Sequence, residues 1–140
     1  MSLSIEFRKL NVAMEDVAIE ERETILNGGT FLGEYSTLGG HYTQSEGKPV
    51  TTNKLAKYFG LYTENGRTRD VSVKKECIEK LHEETLNAIK DCESSPMALK
   101  LITRGIFKEM RVDALYELNS WLEKVLECVD KDDYVWVYTY

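Results

Sequence analysis

The last eight residues, DYVWVYTY (Asp133–Tyr140), decide how the chain is read. Successive side chains of an extended strand point to opposite faces, so Tyr134, Trp136, Tyr138 and Tyr140 share one side and Val135, Val137 and Thr139 the other. Aromatic and β-branched residues suit a pleated, half-buried surface, which makes this segment a strand. Its backbone needs a partner. The chain's opening supplies one, because Leu3, Ile5 and Phe7 alternate with Ser4, Glu6 and Arg8. Two strands alone are marginal in water. A third is therefore expected inside residues 30–45, with TFLGEYSTL and GGHYTQ as candidates. The pattern leaves open which face of the C-terminal strand is buried. Aromatic side chains have more area to hide. If the valine face is the buried one, Tyr134, Trp136 and Tyr138 become an exposed partner-binding row.

Between the two ends the periodicity is helical. Val17, Glu21, Thr24 and Ile25 share a face of a helix expected over Glu15–Leu26, stopped by Asn27-Gly28-Gly29. A short helix is expected in VTTNKLAKYFGL, with Thr51 or Thr52 as N-cap, Leu55, Ala56 and Phe59 inward, and Gly60 ending it. A long amphipathic helix over Val71–Glu93 carries Val73, Cys77, Ile78, Leu81, Thr85, Ala88, Ile89 and Cys92 on one stripe. Ser95 and Pro96 open a helix expected to reach Met110, weakened in its middle by Gly105. Asp113 is the expected N-cap of a last helix to Asp130, striped by Leu115, Leu118, Leu122, Val125, Leu126 and Val129. The class is α+β: one domain over residues 1–140, with three to five helices packed on a small antiparallel sheet formed with both terminal strands.

The totals restrict function. A chain of 140 residues suits one domain and needs no disulfide staples. A net charge of −6 argues against sequence-independent nucleic-acid binding, which needs clustered Lys and Arg. The Ala56 and Gly60 spacing of LAKYFGL suits a helix-turn-helix, but the recognition helix would then need an apolar residue at the position of Gly66. No apolar run is long enough for a membrane span, and MSLSIEFRKL lacks the apolar core of a secretory signal. A cytoplasmic location is therefore expected. Cys77, Cys92 and Cys128 form no CxxC pair and read as small apolar residues of a reducing compartment. The two histidines lack zinc-site spacing, so neither metal nor cofactor is expected.

One stretch could hold a ligand. Asn27–Lys48 contains six of the nine glycines. Four of them fall in pairs, Gly28-Gly29 and Gly39-Gly40, with no Walker lysine and no G-x-G-x-x-G, so they suit tight turns better than a phosphate cradle. Within it Glu34, Tyr35, His41 and Tyr42 are the candidate ligand-binding residues, since a histidine oriented by a carboxylate can act as a general base near neutral pH. No catalytic residue can be assigned.

VSVKKECIEKLHEETLNAIKD, followed by ALYELNSWLEKVLECVDKDDYVWVYTY, is similar to a family of small phage-encoded proteins of unknown function. These share a long charged helix, a second helix ending in an LEKVLE-like turn, and a short aromatic tail strand. The resemblance implies a phage or prophage origin and assigns no functional residue. The expectation is a non-enzymatic accessory protein that binds a host protein. The alternative is a small enzyme or ligand-binding domain using the loop 27–48.

Overall fold

A computed structural model describes residues 4–36, 51–61, 69–93, 102–108 and 110–139, without the side chains of residues 4, 35, 36 and 51–53. Its strands are β1 (Ser4–Leu10), β2 (Thr30–Ser36), β3 (Val71–Lys74) and β4 (Tyr134–Thr139). They form one sheet in the order β2-β1-β4-β3, with every neighbouring pair antiparallel. The terminal strands pair as expected, from Ile5 opposite Thr139 to Leu10 opposite Tyr134. They occupy the centre of the sheet, and β2 is the expected third strand, drawn from TFLGEYSTL. The other candidate, GGHYTQ, lies outside the described residues.

Strand β3 corrects the helix expected over residues 71–93. The helix α3 begins only at Lys75 (Lys75–Glu93), and the four residues before it are extended. Val71 and Val73 are β-branched, and they find partners in Val137 and Val135 across the free edge of β4. A second correction concerns residues 15–26, where two 3-10 turns, Met14–Asp16 and Ile19–Glu21, precede a short α1 (Arg22–Asn27). A third concerns residues 96–110, whose described part, 102–108, is bends and turns rather than helix. Gly105 stands there at φ +85°, a left-handed angle that no helix interior allows.

The remaining helices follow the pattern closely. In α2 (Thr51–Phe59) Leu55, Ala56 and Phe59 are buried. Gly60 at φ +70° ends it, with Leu61 N–H donating to the Ala56 carbonyl at 2.9 Å and Gly60 N–H to the Lys57 carbonyl at 3.2 Å, a Schellman closure. In α4 (Val112–Cys128) Leu115, Leu118 and Leu122 are fully buried, but Arg111 rather than Asp113 holds the N-cap position. Asp113 sits in the first turn instead, where its charge favours the helix dipole, paired with Arg111 at 3.2 Å. Of the cysteines Cys92 is buried, Cys77 half-buried and Cys128 exposed, so the last is not a core residue.

Two apolar clusters hold the sheet between them. On one face Ile5, Phe7, Val135 and Val137 pack under α2, α3 and α4 in the main core. On the other, Trp136 packs with Leu10, Met14 and Val17, and its indole N–H donates to the Val12 carbonyl at 2.8 Å. Strand β4 is thus covered on both faces, with Trp136 1% and Tyr138 8% exposed. Trp136 and Tyr138 are therefore not part of an exposed row. Burying an indole removes on the order of 200 Å² from water, worth up to about 5 kcal/mol.

Candidate functional site

Register brings together on one sheet face residues that are far apart in sequence. Glu6 of β1 stands directly between Glu34 of β2 and Tyr138 of β4. Arg8, two residues on, faces Phe31 on one side and Trp136 on the other. The Arg8 guanidinium donates through Nε to the Tyr138 hydroxyl at 3.0 Å and through Nη1 to the Gly29 carbonyl at 3.3 Å, and it lies 5.2 Å from the centre of the Phe31 ring. Burial pushes the Tyr138 phenol up and the Glu6 carboxylate adds to the push, while Arg8 opposes it. A phenol so held stays protonated at neutral pH and accepts the hydrogen bond from Arg8. Glu6 is itself buried, and its Oε2 has no hydrogen-bond donor.

Of the residues singled out from sequence, Glu34 is exposed on this face, beside Glu6. Tyr35 lies in β2 opposite Ile5. His41 and Tyr42 lie outside the described residues. Tyr134 is half-buried at the start of β4, with the Lys74 ammonium 4.0 Å from its ring centre. Trp136 and Tyr138 face the same way as Glu6 and Arg8. The sequence reading missed Arg8, Glu6 and Phe31 as members of one cluster. Their alternation with Ile5 and Phe7 was visible, but the β1–β2 register that joins them contains a bulge between Phe7 and Arg8.

Two open clefts border the described structure. One, of about 410 Å³, lies at the end of the sheet against Gly28, Gly29 and Thr30, with Lys9, Asn11, Thr24 and Asp133 on its walls. It touches the stretch expected to contact any small ligand. The other, of about 400 Å³, runs between α3 and residues 104–107, where Arg104 is paired with Asp91 at 2.9 Å. Between α3 and α4, His82 approaches Glu123 at 3.5 Å, and Asn119 donates to the same carboxylate at 3.2 Å. His82 is thus a boundary residue of the helix pair. Among the described residues no three His, Cys, Asp or Glu side chains converge to hold a metal ion.

The remaining surface feature is electrostatic. Glu15, Asp16, Glu20, Glu21 and Glu23 are all exposed along the 3-10 turns and the start of α1. Ile19 stands among them, 77% exposed. Arg22, the one cation of this segment, donates through its Nε to the Val17 carbonyl at 3.2 Å. No helix among the described residues is long and apolar enough to cross a membrane. No model of a known protein family matches the chain, and neither a curated protein nor a solved structure does.

Proposed function

We propose that the protein is a non-enzymatic binding protein that meets another protein through the acidic segment 15–23, and that the partner's surface is basic. The observation that carries this is Ile19, 77% exposed within a segment that carries five exposed carboxylates. Burying such a side chain in a partner's pocket gains about 1.5–3 kcal/mol. The surrounding charges add mainly association rate and partner choice, and their effect fades as salt rises. The resemblance to small phage-encoded proteins supports a host protein as the partner and the cytoplasm as the place of encounter. Trp136 and Tyr138, which the sequence suggested as contacts, are turned into this chain's own interior. The reading therefore moves the contact to the neighbouring segment.

The test is capture from a host-cell lysate with the wild type, Ile19→Ala and the double variant Glu20→Lys, Glu21→Lys. All three positions are exposed, so circular dichroism should show unchanged folding. The expected result is one basic partner retained by the wild type and lost with both variants, with association slowing as salt is raised. A partner held equally by all three proteins would refute the assignment of this surface.

A further inference from the structure

The cleft beside Gly28 and Gly29 belongs to neither surface described above. We infer that it binds a small zwitterion of the α-amino-acid class. Its volume, about 410 Å³, suits a small molecule and excludes a folded partner. Lys9 and Asp133 both line it, and no ion pair joins them. A cation and an anion held apart in one cleft are complementary to a ligand carrying one carboxylate and one ammonium. A plain anion would meet Asp133, and a plain cation would meet Lys9, so each singly charged ligand is disfavoured.

The walls are held in place before any ligand arrives. Asp133 Oδ2 accepts the Asp130 N–H at 2.8 Å while the Asp133 N–H donates to the Asp130 carbonyl at 3.0 Å, which locks the turn that presents the carboxylate. The Lys9 backbone is fixed by its place in the ladder, opposite Thr30 on one side and Val135 on the other. Gly29 packs closely on Leu10, because a Cβ there would come within 2.9 Å of the Leu10 side chain. The Asn11 amide and the hydroxyls of Thr24 and Thr30 supply neutral hydrogen-bonding groups, and Leu10 and Ile25 add apolar surface for a side chain.

The experiment is a titration of the full ¹⁵N-labelled chain with L-leucine, leucinamide and N-acetyl-leucine, followed by amide shifts. Leucinamide lacks the carboxylate, and N-acetyl-leucine lacks the ammonium. Saturable shifts at Gly28, Gly29 and Thr30 are expected with L-leucine, and binding of each derivative should be weaker by about tenfold or more. Lys9→Met should weaken L-leucine by a similar factor and strengthen leucinamide, whose ammonium no longer meets a like charge. Asp133→Asn should likewise weaken L-leucine and strengthen N-acetyl-leucine. Should Asp133→Asn disturb its turn, Lys9→Met alone still decides the matter. Absence of saturable shifts in that cleft, equal binding of the three probes, or full binding by Lys9→Met would overturn the inference.

Discussion

Gly33→Ala is expected to destabilise the protein by about 3–7 kcal/mol, although it adds a single methyl group to a surface-edge strand. Gly33 sits in β2 opposite Phe7, beside the bulge, with φ at +116°. An L side chain at such an angle costs roughly 1–3 kcal/mol in the backbone alone. The added Cβ would also stand 2.7 Å from Trp121 Nε1. The indole has little room to give way. It packs against Phe7 with ring centres 4.5 Å apart, and its N–H donates to the Leu32 carbonyl at 3.2 Å. Moving it would forfeit that hydrogen bond, about 1 kcal/mol, and strain the contact between α4 and β2 by roughly 1–3 kcal/mol more. Urea denaturation followed by fluorescence measures the total, with Trp136 as a second reporter. A cycle with Trp121→Phe separates the two terms. In that background, Gly33→Ala should cost only its backbone share. A loss below about 1 kcal/mol, or the same loss in both backgrounds, would refute the claim that glycine is required there by the indole.

Leu118→Ala and Leu122→Ala should each cost about 2–5 kcal/mol by chemical denaturation, since both side chains are fully buried at the centre of the main core. Changes under about 1 kcal/mol in both would mean that this stripe of α4 does not pack as described. Tyr58→Phe should cost about 1 kcal/mol at neutral pH, by removing the hydroxyl that donates to the Cys77 carbonyl at 3.1 Å. It should also alter the alkaline limb. Burial first, then the neighbouring Cys77 and Glu84 groups, push the Tyr58 phenol up from 10.0 to about 12. The folded state therefore holds that proton more tightly than the unfolded chain. The stability this contributes is intact below 10.0 and is lost as pH rises towards about 12. Denaturation across that window should fall less steeply for Tyr58→Phe than for the wild type, and parallel curves would refute the assignment.

Alternation is a local property, which is why the two terminal strands and their antiparallel pairing were legible from residues alone. Strand β3 was not, because Val71 and Val73 fit the stripe of the following helix as well as they fit a strand. The edge of β4 that decides between these readings lies some sixty residues further along the chain. Gly105 carried a real warning, but periodicity around it favoured a helix that the described residues do not form. The face of β4 that would be buried could not be read from either end. Both of its faces are apolar enough for a core, and the cover over Trp136 comes from Leu10, Met14 and Val17. Glu34 could be picked out as a polar candidate, yet its neighbours Glu6, Arg8 and Tyr138 come from two other strands. Their meeting is set by the registers between strands, and the bulge decides that Phe31 stands opposite Arg8; no spacing within β2 encodes either.

The burial of β4 on both faces limits where a partner can be met. Its edges are paired with β1 from Tyr134 to Thr139 and with β3 from Tyr134 to Val137, so Trp136 has neither a free face nor a free edge to offer. The segment that covers it is different. Met14 and Val17, three residues apart on successive turns, point in and pack on Trp136. Glu15, Asp16, Ile19 and Glu20 point out. The same short stretch thus seals the second cluster and displays the most exposed large hydrophobic side chain among the described residues. It is tied to the sheet by few bonds, chiefly Trp136 to the Val12 carbonyl, and the Met14 N–H to Ser72 Oγ, which in turn donates to Glu15. Its hold on the sheet depends more on Trp136 than on any regular backbone ladder. A partner that gripped Ile19, as proposed, would therefore act on the segment that covers Trp136.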